Sequence, residues 1–226
     1  MKRRSALIIG ATGLIGQLLV AKVRQHPEYQ DIHLFVRKKI ELEDPHVNIR
    51  TGAFEAIQPE EYPHVDDVFC CIGTTIKKAK TKEAFKQVDL ELPLKVAKGA
   101  LEKGAKQYIV VSAIGANLES SFFYNRVKGE LEQELCKLDY SHIHILRPSL
   151  LLGSRSELEI RAGEKIGEYA AKLITPLLKG RLTKYQPVSA NDVASAMILI
   201  ALNNSKQHRN IYESDWIKQL SNRKSM

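Results

Sequence analysis

Short apolar runs alternate with longer amphipathic stretches along most of the chain. The short runs predict strands, and the stretches with apolar residues at helical spacing predict helices. Predicted strands cover Ser5–Gly10, Ile32–Arg37, Val47–Thr51, Asp67–Cys71, Gln107–Ser112 and Ile143–Arg147. Predicted helices cover Leu14–Gln25, Lys82–Lys103 with Pro93 as a kink or break, and Tyr124–Lys137. This alternation predicts an α/β fold with a doubly wound, mostly parallel sheet, whose ligand lies beyond the carboxyl ends of the strands.

The pattern loosens after Pro148. Further predicted elements are a helix over Glu157–Thr175, short strands at Tyr185–Val188 and Asn210–Tyr212, and a helix over Val193–Leu202 capped by Asn191-Asp192. Residues 149–226 are too few for an independent domain of usual size. We therefore predict one domain, 1–226, in which a core of residues 1–148 carries a small C-terminal lobe on the substrate side.

Three glycines follow the first predicted strand at three-residue steps, in Gly10-Ala-Thr-Gly-Leu-Ile-Gly16. Glycine lacks a Cβ, so the chain can turn tightly at Gly10, approach a diphosphate at Gly13, and pack helix against strand at Gly16. The helix that starts here offers unpaired N–H groups and a positive dipole end to a phosphate. Strand, glycine turn and helix together predict a dinucleotide-binding sheet of the Rossmann type.

The second predicted strand ends in Arg37-Lys38-Lys39, where a sheet that prefers NAD usually places Asp or Glu for the ribose hydroxyls. No carboxylate follows until Glu41. Arg37 can bind a 2′-phosphate through its guanidinium fork, and Lys38 adds charge. This favours NADP(H) as the cofactor, against the alternative that these cations are solvated loop residues.

Ser112 ends the fifth predicted strand, and Tyr124 and Lys128 follow in the next helix at positions i and i+4. Such residues share one helix face. A lysine cation, together with an oxidised nicotinamide ring, lowers the pKa of a phenol from its usual value near 10. Tyr124 is then the predicted general acid in carbonyl reduction, Ser112 hydrogen-bonds the same substrate oxygen, and Lys128 also binds the ribose beside the nicotinamide.

The chain resembles the short-chain dehydrogenase/reductase superfamily, and within it the atypical branch of Tat-interacting-protein-like oxidoreductases. The resemblance rests on Gly10–Gly16, on Cys70-Cys-Ile-Gly-Thr-Thr75, on Phe123-Tyr-Asn-Arg-Val-Lys-Gly-Glu130 and on Leu146-Arg-Pro-Ser149. It implies NADPH binding with Gly10, Thr12, Gly13, Leu14 and Ile15 at the diphosphate, Arg37 near the adenosine phosphate, Cys71, Gly73 and Thr74 along the cofactor, Tyr124 and Lys128 at the nicotinamide, and Pro148 beside the carboxamide.

One position departs from the pattern of the family. Relatives commonly carry two serines where this chain has Ser112-Ala113, so one hydroxyl remains to orient a substrate. Ser120 or Ser121 can replace the missing hydroxyl only if their loop folds back.

Other chemistry-bearing residues have simpler explanations. Cys70 and Cys71 point to opposite faces of a strand, which disfavours a dithiol site, and buried cysteines commonly act as small apolar residues. His142 and His144 share a strand face but lack a further ligand, so surface or half-buried histidines are expected and no metal site is predicted. Asp89 either orients a group beside the cofactor or is an exposed helix acid.

Composition narrows the classes of function. The chain has 226 residues, a net charge of +8 and three cysteines. The odd cysteine count and the glycines that interrupt the first apolar run argue for a reducing, cytoplasmic setting and against a signal peptide. The apolar runs are too short to span a membrane. The basic charge suits a phosphorylated cofactor, whereas nucleic acid is not expected as a primary partner.

The sequence thus predicts an NADPH-dependent oxidoreductase that acts on a small carbonyl-type substrate. Two alternatives stay open: a redox-sensing regulatory protein that binds NADP(H) without turnover, and a nucleotide-sugar epimerase or dehydratase. The substrate is not readable from the sequence, and the oligomeric state is left open, a homodimer included.

Overall fold

The computed structural model describes residues 3–152, 178–203, 205 and 207–222. Its strands are β1 (Arg4–Ile9), β2 (Tyr29–Val36), β3 (Val47–Thr51), β4 (Asp67–Cys70), β5 (Gln107–Val111), β6 (His142–Arg147), β7 (Leu151–Leu152), β8 (Val188–Ser189) and β9 (Arg209–Glu213). Seven of them form a parallel sheet in the order β3-β2-β1-β4-β5-β6-β9, and β7 pairs with β8. The strand order reverses at β1, so the carboxyl ends of β1 and β4 flank the crevice where such folds bind ligands.

Helices cover both faces of the sheet. They are α1 (Leu14–Gln25), α2 (Ile76–Ala79), α3 (Lys82–Lys86), α4 (Leu92–Glu102), α5 (Phe123–Leu135), α6 (Ala190–Leu202) and α7 (Ser214–Asn222). Alternate residues of β1 face opposite ways: Ile8 packs in the core with α1 and α6, whereas Ile9 packs in the core with α4 and α5. The inner strands β1, β4 and β5 are therefore apolar on both faces, as buried parallel strands require, whereas the edge strands β3 and β9 are partly exposed. The predicted doubly wound sheet is confirmed, with bounds within three residues for the strands of the core.

The long predicted helix over Lys82–Lys103 is continuous but not uniformly α-helical. A π-helical turn, Gln87–Glu91, joins α3 to α4, and Leu92 N–H donates to the Gln87 carbonyl. Pro93 explains the irregularity, because it has no N–H for the carbonyl four residues earlier and its ring crowds that carbonyl. That carbonyl belongs to Asp89. The helix accommodates the proline by forming wider, π-type backbone hydrogen bonds around this residue instead of ending there.

Two predictions in the C-terminal lobe are wrong. The cap of α6 is Ser189, whose hydroxyl accepts from Asp192 N–H at 3.0 Å, and the helix begins at Ala190. The stretch predicted as a strand over Tyr185–Val188 contains the end of a 3₁₀ helix, Gly180–Tyr185, and only Val188 belongs to a strand. The helix predicted over Glu157–Thr175 lies outside the described residues.

Candidate functional site

The glycine turn lies between β1 and α1. Gly10 has φ of +79°, and a Cβ there would lie 2.6 Å from the carbonyl carbon and oxygen of Cys71. A Cβ on Gly16 would overlap the Gly10 carbonyl oxygen. Gly13 is the N-cap of α1 and no side chain caps this end, so N–H groups of the first turn remain available. The turn has the geometry of an anion site at a helix N-terminus.

Thr12, Leu14 and Ile15 complete this turn. Thr12 is exposed, Leu14 is the first residue of α1, and Ile15 is buried in the core beneath it. The side chain of Gln17 donates from Nε2 to the Thr12 carbonyl at 3.2 Å. Ile15 therefore anchors the turn in the core, while Thr12, Gly13 and Leu14 are left at least partly exposed.

The segment after β4 forms the next wall of the crevice. Cys71 N–H donates to the Ile9 carbonyl at 2.9 Å, which brings residues 71–74 beside the glycine turn. The Cys71 side chain points away, with Sγ 3.8 Å from Met197 Sδ of α6, whereas Cys70 packs in the opposite core. Burial raises the pKa of both thiols. The prediction that the two cysteines face opposite sides is confirmed, and neither thiol is poised as a nucleophile.

Arg37 and Lys38 follow β2 directly and are exposed. Of the other basic residues nearby, Arg24 pairs with Asp44 and Arg50 with Glu61, both at 2.6 Å, whereas the exposed Lys39 has no ion pair among the described residues. Within the described part of the chain, Arg37 and Lys38 form no ion pair. Two cations free of protein partners thus stand where the ribose of an adenosine would be bound in this fold.

Tyr124 and Lys128 lie on one face of α5, one turn apart. The Tyr124 ring packs on Phe85 at a centroid distance of 5.5 Å, and Lys128 is 2% exposed. Lys128 Nζ forms an ion pair with Asp89 Oδ1 at 2.8 Å. A Cβ on Gly73 would lie 4.0 Å from Lys128 Nζ, so the ammonium reaches the segment after β4. The structure therefore brings the predicted Tyr–Lys pair to the carboxyl edge of β4.

The protonation of this pair differs from what the spacing alone suggests. Burial raises the pKa of the Tyr124 phenol, Lys128 lowers it, Asp89 raises it, and the net direction is upward. Burial is the largest influence on the pKa of Lys128 and lowers it, but the charge of Asp89, the charge of Tyr124 and the hydrogen bond to Asp89 together outweigh burial, and the net direction is again upward. Lys128 lowers the phenol pKa as expected, but in the ligand-free protein burial of the ring, and then the charge of Asp89, outweigh the cation. The lowering expected when an oxidised nicotinamide ring is also present stays a prediction.

Ser112 follows β5 and is buried. Its Oγ donates to Glu132 Oε1 at 2.5 Å, and Arg147 donates to both oxygens of the same carboxylate. The three side chains connect the ends of β5 and β6 to the last turn of α5. Because the single hydroxyl proton goes to Glu132, Ser112 offers a substrate only lone pairs in this arrangement. Ser112 and Lys128 thus each have a buried acidic partner of their own.

Pro148 ends β6 and connects the sheet to the C-terminal lobe. Pro148 is buried, and its carbonyl accepts from Ile114 N–H at 3.0 Å. Ser149 N–H donates to Ser214 Oγ at 2.8 Å, and Ser149 Oγ donates to the Gln186 carbonyl at 2.6 Å. The lobe is therefore held close to the carboxyl ends of β5 and β6.

Sequence reasoning left open the role of one residue of this site and missed another. The sequence left open whether Asp89 orients a group beside the cofactor or is an exposed helix acid. In the structure its side chain is fully buried, which excludes the exposed acid. Glu132 went unmentioned, although its place one turn beyond Lys128 on α5 was a usable signal. His144, expected to be at most half-buried, is fully buried in β6.

Among residues 3–152, 178–203, 205 and 207–222, no three His, Cys, Asp or Glu side chains are grouped closely enough to hold a metal ion. In the same residues, no helix has the length and apolar character needed to cross a bilayer.

Fold and site together define a Rossmann-type protein with the glycine turn and Tyr–Lys pair of the atypical short-chain dehydrogenases/reductases. Residues 39–177 match the family model described as HIM1. The chain is 32% identical over 219 residues to "Protein FMP52, mitochondrial" of Eremothecium gossypii, covering 96% of both proteins. It is 34% identical over 164 residues to "Protein HTATIP2" of Rattus norvegicus, covering 70% of this chain and 66% of that protein. The chain belongs to the HIM1 family, and the resemblance drawn from its motifs is confirmed.

A solved structure gives the same fold at low identity. The UDP-glucuronic acid 4-epimerase from Bacillus cereus, in complex with NAD, superimposes with a TM-score of 0.68 over 92% of this chain and 76% of that one, at 12% identity. This likeness shows the shared fold.

The names of the relatives contradict the expected cytoplasmic location. The FMP52 proteins of Eremothecium gossypii and other yeasts carry "mitochondrial" in their names. The cysteine count that suggested the cytoplasm indicates only a reducing environment, which is not specific to one compartment.

Proposed function

We propose that the protein is an NADPH-dependent oxidoreductase that reduces a small carbonyl-type compound with Tyr124 as general acid. The observation that carries the proposal is the position of Tyr124 and Lys128 on one face of α5, with Lys128 Nζ reaching the segment after β4. Membership of the family and the Rossmann fold support a nicotinamide dinucleotide as cofactor. The finer choice of NADP(H) and of the reaction direction rests on the residues themselves.

The crevice fits a dinucleotide in shape and charge. The space beside Gly10 and Gly16 is too narrow for a Cβ, and no side chain caps α1, so N–H groups of its first turn would be available to a diphosphate. Gly73 and Thr74 would line the nicotinamide half, and Arg37 with Lys38 would bind a 2′-phosphate. When bound, the dinucleotide supplies the hydride.

Tyr124 supplies the proton. A phenol whose pKa lies above its ordinary value remains protonated at neutral pH, which suits a group that donates a proton to a carbonyl oxygen. Lys128 keeps a positive charge beside the ring, so the phenolate left after proton transfer is stabilised. Pro148 and the C-terminal lobe would border the substrate side of the crevice.

The role of Ser112 follows from its present partner. While its proton goes to Glu132, the hydroxyl can only accept a hydrogen bond. Donation to a carbonyl oxygen therefore requires that Ser112 exchange Glu132 for the substrate. This constraint favours a second candidate function, an NADP(H)-binding regulatory protein that does not turn over.

The cofactor assignment is tested by titrating NADPH and NADH into wild type, Arg37→Ala and Lys98→Ala. We expect Arg37→Ala to raise the dissociation constant of NADPH about tenfold, the equivalent of ~1.4 kcal/mol, with little change for NADH. Lys98→Ala is the control, because it removes one positive charge from an exposed position of α4 instead of the end of β2. It should leave the dissociation constants of NADPH and NADH unchanged. Equal, weak binding of both coenzymes to wild type would refute the assignment.

The catalytic assignment is tested by a panel of aldehydes, ketones and quinones with NADPH. Tyr124→Phe should lower kcat by about 10²–10⁴ while the NADPH dissociation constant stays within about threefold. Turnover by both proteins at one rate excludes Tyr124 as general acid. Tight NADPH binding by wild type without turnover of any compound supports the regulatory protein instead.

A further inference from the structure

Asp89 is an acidic side chain with no exposed surface, placed in the π-helical turn between α3 and α4. Its two oxygens have different partners. Oδ1 pairs with Lys128 Nζ at 2.8 Å, and Oδ2 accepts from Thr74 N–H at 2.8 Å. One carboxylate therefore links the turn, α5 and the segment after β4.

The π-helical turn explains how this acid becomes buried. Pro93 cannot donate to the Asp89 carbonyl and would collide with it in a regular α-helix. The widened turn changes the helical phase relative to an unbroken α-helix, and such turns are frequent at functional sites. In the structure the Asp89 side chain faces α5, and the helix resumes at Leu92.

Lys128 has this carboxylate as its counter-charge. A buried ammonium without a counter-charge is costly and tends to lose its proton. The ionisable groups that face Lys128 are Asp89 from the π-helical turn, Tyr124 from α5 and Cys70 from β4. Burial raises the pKa of both Tyr124 and Cys70, so at neutral pH both are uncharged and Asp89 provides the negative charge.

We propose that Asp89 is the positioning residue of the site, holding the Lys128 ammonium in its charged form against the segment after β4 before any dinucleotide binds. The proposal deepens the proposed function, because a charged Lys128 is what the ribose and Tyr124 would require. Asp89 itself touches neither cofactor nor substrate in this scheme. Its effect on the reaction passes through Lys128 and through the Thr74 backbone.

The decisive measurement is the titration of Lys128 in the ligand-free protein, followed by NMR of the lysine ¹³Cε resonances. The resonance is assigned by its absence from Lys128→Arg. In wild type we expect no titration of Lys128 below pH 10. Asp89→Asn keeps the shape of the side chain and removes its charge. Burial then dominates the protonation of Lys128, and the midpoint of the Lys128 titration should fall by at least about two pH units. A midpoint in Asp89→Asn equal to that of wild type would overturn the proposal.

A binding experiment separates positioning from a purely structural role. In Asp89→Asn, the NADPH dissociation constant should rise about tenfold between pH 6 and pH 9, as Lys128 loses its proton, while wild type changes little. Arginine keeps its charge over this range, so the double variant Asp89→Asn/Lys128→Arg should lose the pH dependence. A uniform loss of affinity at every pH in Asp89→Asn, or pH dependence retained in the double variant, contradicts positioning.

Failure of the two proposals can be told apart. If wild type binds no dinucleotide, the proposed function fails, and the NMR titration still decides the role of Asp89. If Asp89→Asn does not fold, Asp89→Glu carries the test, because it keeps the charge while changing the reach. Lys128 should then remain protonated through pH 10, and titration below pH 9 in Asp89→Glu would refute the proposal.

Discussion

His144 lies in β6 with its imidazole fully buried. Its Nε2 lies 3.2 Å from Gln107 Oε1, and its Nδ1 lies 3.2 Å from the Tyr212 hydroxyl. Gln107 Nε2 donates to the Ala201 carbonyl, which leaves Oε1 facing the ring as an acceptor. The neutral imidazole therefore donates from Nε2 and accepts from Tyr212 at Nδ1, and every polar group of the cluster is satisfied without charge.

The cost of protonating this ring sets the magnitude of the prediction. Burial, and then the neighbouring His142, lower the pKa of His144 from 6.5 to about 4. Between these two values the unfolded chain binds a proton that the folded protein does not, so stability falls as the pH falls through this window. A difference of about 2.5 pH units corresponds to roughly 3 kcal/mol, present in full above pH 6.5 and lost by about pH 4.

The assay is urea unfolding of wild type, His144→Gln and His142→Gln at pH 7.5 and pH 4.5. Since other groups also titrate, the quantity of interest is the difference between each variant and wild type. His144→Gln should be destabilised relative to wild type at pH 7.5, and that deficit should shrink by about 2–3 kcal/mol at pH 4.5. His142→Gln, only half-buried, should show a much smaller change. An equal deficit for His144→Gln at both pH values would refute the reasoning.

Two further predictions concern packing and charge near the crevice. Gly16→Ala places a Cβ against the Gly10 carbonyl oxygen and should lower the free energy of unfolding by at least about 2 kcal/mol. In Gly73→Ala the nearest neighbour of the new Cβ lies at 3.5 Å, and the loss should be less than about 1 kcal/mol. Urea unfolding distinguishes the two variants, and equal losses would contradict the overlap at Gly16. Glu132→Gln removes the charge that pairs with Arg147 and should lower the free energy of unfolding by about 2–4 kcal/mol in the same assay. Glu130→Gln, at a half-buried pair with Lys86, should lower it by at most about 1 kcal/mol. No loss of stability in Glu132→Gln would contradict a structural ion pair.

Local signals were enough to predict the sheet and the positions of the Tyr–Lys pair. The predicted inner strands β1, β4 and β5 were short apolar runs, and parallel strands buried on both faces produce that pattern. The glycine turn was also local, because the conformation of Gly10 and the close approach at Gly16 are requirements of one strand-turn-helix unit. The N-cap predicted for α6 was wrong because three polar residues, Ser189, Asn191 and Asp192, could each occupy that position. Only the backbone geometry selects Ser189.

The acidic partners in the site could not be predicted in the same way. Ser112 and Glu132 are 20 residues apart, and their contact depends on how α5 is rotated against β5. The Asp89–Lys128 pair depends on a π-helical turn, whose presence was visible only as a proline that was interpreted as a kink or break. Periodicity assigns a residue to a helix, but a phase shift within the helix decides whether that residue is buried.

This phase shift also changes how the Tyr–Lys pair should be understood. Spacing alone presents Lys128 as an isolated cation that promotes the phenolate of Tyr124. With Asp89 at 2.8 Å, the ammonium is half of a neutral pair, and burial of the ring dominates its protonation. A protonated phenol is the form needed to reduce a carbonyl, whereas alcohol oxidation needs the phenolate and hence more positive charge beside the ring. In the proposed mechanism the ion pair would therefore favour reduction, with Tyr124 and Lys128 unchanged from what the motif specifies.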